Sequence, residues 1–152
     1  MNHNTYVRTE TLISMAINGV LSLVFFLIVF SKVDIVPMWG AGNWVFDFLP
    51  QSFMIALMGT LVPGALTAKR LRAGALQPLP QPSRLPHSLA LRALVLAVAA
   101  ALAGTAIVAA IIALAGVTAL AWTPALVLKV IYGVVLAAVV TPMGLRSALA
   151  TR

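Results

Sequence analysis

Nineteen consecutive residues, Leu12 to Phe30, carry no charged side chain, and three later stretches nearly repeat the pattern. Gln51–Ala68 has no charge, Leu89–Val117 has only Arg92, and Ala125–Leu145 has only Lys129. About 20 apolar residues in helical form span the hydrocarbon core of a bilayer. In lipid, backbone polar groups must also find their partners inside the protein. Four such runs confine the chain to an all-α fold, an integral membrane four-helix bundle with helices at about 12–30, 51–68, 89–117 and 125–145. The whole of residues 1–152 then forms one membrane domain. A water-soluble alternative lacks the polar surface it needs: 62% of the residues are hydrophobic and 9% charged, against about 25% charged in a soluble domain. Leu12–Phe30 is longer than the roughly 7–15 residues of a signal-peptide core, and Ile28–Lys32 offers no small-x-small cleavage pattern. The first helix is therefore expected to be retained. The third, roughly 43 Å long as a helix, must tilt or project beyond the bilayer.

The charges orient these helices. Lys69–Arg92 holds five of the ten basic residues, no acid, and four of the nine prolines (Pro78, Pro80, Pro82, Pro86). It reads as a stiff basic connection, residues 69–88, between two halves. Basic loops stay in the cytoplasm. With this one inside, Arg8, Arg146 and Arg152 lie inside too, and Lys32 is the only basic residue left in an external loop. Both termini are thus expected to be cytoplasmic, with Trp39, Trp44 and Trp122 at the outer interface, where the amphipathic indole ring is favoured. The expected partners are the bilayer itself and anionic lipid headgroups at the cytoplasmic face. The net charge of +7 does not imply nucleic acid, because no basic surface interleaved with stacking aromatics is present.

Composition also narrows the chemistry. The chain has no cysteine, two histidines and three acids, Glu10, Asp34 and Asp47. That leaves little for a metal site or an acid–base pair, no nucleophile or phosphate-loop motif is present, and no cofactor is expected. The chain is therefore read as a non-enzyme.

Polar residues within the spans are the places where function would show. Thr11, Ser14, Asn18 and Ser22 fall on one helical face, as a polar lining or as interhelical hydrogen-bonding groups. Lys129 is the only charge well inside a span and lies near its outer end. It is expected to snorkel to the interface; the alternatives are that it points into the bundle to attract an anion or pairs with Asp47. Asn18, Gln51 and Lys129 form a candidate polar path. Ser52, Ala56, Thr60 and Gly64 form a small-residue stripe on helix two, and Gly59, Gly104 and Gly133 are candidate helix-packing or hinge positions, since small residues let helices approach. Pro63 and Pro142 each remove a helical hydrogen bond and are candidate kinks or hinges.

A shift of 79 residues places Pro63 on Pro142 and Leu49, Leu57 and Leu66 on Leu128, Leu136 and Leu145, which suggests two repeated helical hairpins in parallel orientation. In both halves a proline near the inner end of the second helix is followed by arginine, Pro63 with Arg70 and Pro142 with Arg146. On these residues the chain resembles bacterial two-helix membrane proteins that form a domain of unknown function, here in tandem. The spacing differs between the halves, since the first basic residue is six positions after Pro63 but four after Pro142. The resemblance implies a small bacterial inner-membrane protein and supplies no activity. The expected function is a non-catalytic multi-pass protein that self-associates or is accessory to a membrane complex. The alternative is a small oligomeric transporter or channel for an anionic or polar solute.

Overall fold

The computed structural model describes residues 2–151, without the side chains of Gln81 and Thr151; Arg152, counted above among the inner basic residues, lies outside the described residues. Four helices dominate: α1 His3–Phe30, α2 Phe48–Arg72, α3 Leu89–Leu114 and α4 Trp122–Leu149. All four are long and apolar enough to cross a membrane. The chain is a multi-pass membrane protein with an all-α, four-helix architecture. Two short ladders, not expected from the sequence, join its connections. β1 (Ile35–Pro37) pairs antiparallel with β3 (Ala119–Ala121), and β2 (Leu79–Pro82) pairs parallel with β4 (Ala150–Thr151).

Helix ends follow local chemistry rather than hydropathy. α1 starts well before Leu12 because the Asn2 side chain accepts the Asn4 N–H and caps it. Its first turns are tied down by Tyr6 and Val7, buried against Leu76, Leu145 and Leu149. α3 stops at Leu114, short of the expected Val117, at a glycine C-terminal motif. Gly116 adopts φ 65°, its N–H bonds to Ala113 O, and Val117 N–H bonds to Ile112 O. α2 ends in the same way at Gly74. α4 begins at Trp122, so Pro124 lies within its first turn, where a missing N–H costs no helical bond.

The two helices of each half, α1 with α2 and α3 with α4, are not the principal neighbours in space. α2 and α4 pack together at the centre, α1 lies on α4 and α3 lies on α2, while α1/α2 and α3/α4 touch only slightly. This arrangement is pseudo-two-fold. Phe30 and Leu114 end α1 and α3 at positions 84 apart, and Ile35 and Ala119 open β1 and β3 at the same offset. Two contacts join residues related by that offset: the Val36–Leu120 pair in the ladder, and Thr60 against Gly144 where α2 meets α4. The offset of 84 does not extend to the second helices, since α2 and α4 begin 74 positions apart and end 77 apart, so neither 84 nor the 79 that superimposes the two prolines relates the whole of the two halves. The halves differ most at Met38–Asp47, which forms a loop before α2, whereas α4 follows β3 directly.

The small residues serve these internal contacts. A Cβ at Gly133 would lie 2.0 Å from Ser22 Oγ and 3.3 Å from the Asn18 carbonyl, and one at Gly104 would lie 2.0 Å from the Tyr132 hydroxyl. Gly59 faces Thr141 and Ser14 at ordinary or slightly tight distances. Pro63 and Pro142 both lie inside continuous helices, and the Pro63 carbonyl accepts a hydrogen bond from Thr67 Oγ1 at 2.8 Å. Trp44 and Trp122 do not act as outward-facing anchors. Their indole N–H groups point inward, donating to Ala125 O at 3.1 Å and Phe30 O at 3.0 Å. Only Trp39 is exposed, at 40%.

Gly133→Leu should lower unfolding stability in detergent by about 1–3 kcal/mol through overpacking of α1 on α4. Val139→Leu on the exposed side of the same helix should stay within about 0.5 kcal/mol of wild type. Thermal unfolding followed by circular dichroism compares the two.

Candidate functional site

One cluster of polar groups lies at the tryptophan-bearing end, and Lys129 is its centre. It lies about two turns into α4 with no exposed surface, so it does not snorkel as expected. Its ammonium forms an ion pair with Asp47. Phe48 lies 4.4 Å from the ammonium by ring centroid, Phe30 5.7 Å and Trp44 6.0 Å. Aromatic faces carry negative potential and attract a cation. The physical reason for the inward position is the Met38–Asp47 loop. The β1–β3 ladder and the Trp44–Ala125 hydrogen bond hold that loop over the end of α4, which delivers a carboxylate to the lysine and closes its route to the interface.

Asp47 occupies the N-cap position of α2 but makes no side-chain capping bond. An aspartate there ordinarily accepts a backbone N–H; this one is spent on Lys129. The next turn of α2 presents Gln51. Its Nε2 donates to Ser22 Oγ at 2.8 Å and, at 3.5 Å, to the Lys129 carbonyl, so one amide links α1, α2 and α4. Gln51 Oε1 is buried without a partner.

Asn18 lies one turn further along α1. Its Nδ2 donates to Ser14 O at 2.8 Å and Ser14 Oγ at 3.2 Å, and Ser14 shares a hydrogen bond with Thr141 of α4 at 2.8 Å. The three sequence-derived candidates thus fall into two groups. Gln51 and Lys129 belong to one network with Asp47 and Ser22. Asn18 belongs to a second, with Ser14 and Thr141. The stripe Ser14, Asn18 and Ser22 is fully buried against α4 and does not line open space.

Several contributors carry no signal for a polar site in the sequence. Phe30 and Phe48 read there only as apolar residues and Trp44 as an interfacial anchor; together they surround Lys129. Ser52 and Tyr132 share a hydrogen bond between α2 and α4, at the point where Gly104 of α3 approaches them. At the opposite, basic end, Glu10 pairs with Arg70 at 2.9 Å and Tyr6 shares a hydrogen bond with Thr67 at 2.9 Å, joining α1 to α2. Among the described residues no three His, Asp or Glu side chains come together in a way that could hold a metal ion.

Comparison of the chain with protein-family models, with curated proteins and with solved structures finds no match in any of the three.

Asp47→Asn leaves the Lys129 charge buried without a counter-ion and should destabilise the protein by about 3–5 kcal/mol. Lys129→Met combined with Asp47→Asn should recover most of that loss. A double-mutant cycle on unfolding in detergent measures the coupling.

Proposed function

We propose that this is a non-catalytic structural or accessory protein of the bacterial inner membrane, acting in self-association or as part of a larger membrane complex, and not a solute carrier. One observation carries the reading. The three side chains best suited to a polar path are already engaged within the chain: Lys129 by Asp47, Gln51 by Ser22 and the Lys129 carbonyl, and Asn18 by Ser14. A carrier for anions needs a cation that solute can reach, whereas Lys129 is fully buried and neutralised. These groups are better suited to holding three helices in register.

On this reading the basic loop and both termini face the cytoplasm, in keeping with the positive-inside rule, and the tryptophan end faces outward. The pseudo-two-fold packing supports descent from two copies of a helical hairpin, the architecture that the two-helix resemblance implies. The small residues are used inside the protomer, so Ala101 and Gly104 are assigned to its own core and not to an association surface. Association then falls to α1 and α3, which each pack chiefly on one neighbour and leave residues such as Ile17, Val20, Leu102 and Ile107 open to lipid.

Two measurements test the proposal. Native mass spectrometry from a mild uncharged detergent should show a defined assembly that persists in the Lys129→Met/Asp47→Asn variant. Liposomes bearing the wild-type protein should pass chloride and inorganic phosphate no faster than protein-free liposomes. Anion flux that appears with the wild type and disappears in the folded double variant would overturn the reading in favour of transport.

A further inference from the structure

Of the two buried cations among the described residues, Lys129 has a carboxylate and Arg92 has none. Arg92, 5% exposed, lies in the first turns of α3 at the basic end of the bundle. Its Nη1 donates to Ser147 Oγ at 2.9 Å and its Nη2 reaches the His87 carbonyl at 3.5 Å. Its Nε is buried without a partner. A guanidinium presents five N–H donors in a rigid plane, and beyond the enclosed Nε each Nη group of this one keeps a second N–H past the two bonds it makes. Among the described residues no acidic side chain is at hand to neutralise it. Glu10 is committed to Arg70, while Asp34 and Asp47 belong to the tryptophan end, beside β1 and at the start of α2.

The arginine lines a cavity of about 700 Å³ between the ends of α2, α3 and α4. Arg72, in the last turn of α2, His87, and Ser88 with Leu89 at the start of α3 form other parts of its wall. Ser88 caps α3, so the cavity also meets the positive end of a 26-residue helix. Two guanidinium groups and a helix N-terminus around one cavity exceed what a single carboxylate neutralises, and they match the charge and several acceptor oxygens of a phosphate group.

We infer that this cavity is a binding site for a phosphate-bearing anion, with Arg92 as its buried anchor and Arg72 at its mouth. Basic pockets between transmembrane helices take lipid headgroups by this chemistry, and a soluble phosphate compound presents the same group.

The test uses full-length protein in an uncharged detergent with two probes. Phosphatidylglycerol is titrated against a phosphatidylcholine background and read by native mass spectrometry. Inorganic phosphate is titrated at constant ionic strength against chloride and read by thermal stabilisation. The expected result is one saturable adduct per chain with at least one probe. Binding of the lipid alone identifies a headgroup site, binding of inorganic phosphate alone identifies a soluble ligand, and either supports the inference. Arg92→Lys, which keeps the charge but loses the planar fork, should weaken binding about tenfold. Arg72→Gln, at an exposed position, should weaken it severalfold without disturbing the fold. Failure of both probes to give a saturable one-to-one adduct would overturn the site. So would wild-type affinity in both variants.

Discussion

An ammonium group inside a bilayer must be neutralised within the protein or must reach water, and the tryptophan end of this bundle is arranged around the first solution. Lys129 cannot escape along its own helix, because the loop before α2 lies over it. Asp47 gives up the capping role its position offers and supplies the counter-charge. Phe30, Phe48 and Trp44 surround the pair with ring faces, so the charge sits among groups that attract it without adding a second polar demand. Gln51 then ties the backbone carbonyl of the same lysine to α1 through Ser22. Three helices thus depend on one ion pair for their relative position, and the β1–β3 ladder holds its acidic member in place.

The rest of the bundle follows from how the two hairpins interlock. Each first helix packs on the second helix of the other half, α1 on α4 and α3 on α2, and the two second helices meet on a pseudo-two-fold axis. Such crossing binds the halves more firmly than side-by-side hairpins would, since separating them exposes both outer interfaces as well as the central one. The small residues Gly59, Gly104, Gly133 and Gly144 are placed at those interfaces because hydroxyl and aromatic groups from neighbouring helices occupy the space a Cβ would take. In lipid, where apolar burial gives little advantage to one helix contact over another, close approach and hydrogen bonds such as Ser14–Thr141 supply the specificity.

The number and class of the helices were legible in the sequence because uncharged runs of membrane length have few other folds. Their ends were not. Gly116 stops α3 inside an unbroken apolar string, and the polar start of α1 is helical only because Asn2 caps it and Tyr6 and Val7 find a hydrophobic niche. Pro63 and Pro142 align at 79 residues, whereas the β1–β3 ladder and the Thr60–Gly144 contact relate positions 84 apart and α2 and α4 begin 74 apart; the loop before α2 shifts the register between the halves. Lys129 stood out as the lone charge in a span, and Asp47 was among its candidate partners. Choosing between snorkelling and pairing required knowing that a ladder between strands some 84 residues apart in sequence holds the Met38–Asp47 loop over Lys129, and no local pattern encodes that. Arg92 likewise announced itself as an interruption of helix three, while the cavity beside it depends on ends of helices that are distant in the chain.

The central claim is that Lys129 is a buried structural cation and not an accessible binding group. The most direct measurement is amine modification of the folded protein with a membrane-permeant reagent, with each of the three lysines quantified by mass spectrometry. The account predicts that Lys32 reacts to completion, and Lys69 with it, while Lys129 stays unmodified until the protein is unfolded. Modification of Lys129 at the rate of Lys32 in the folded protein would contradict it.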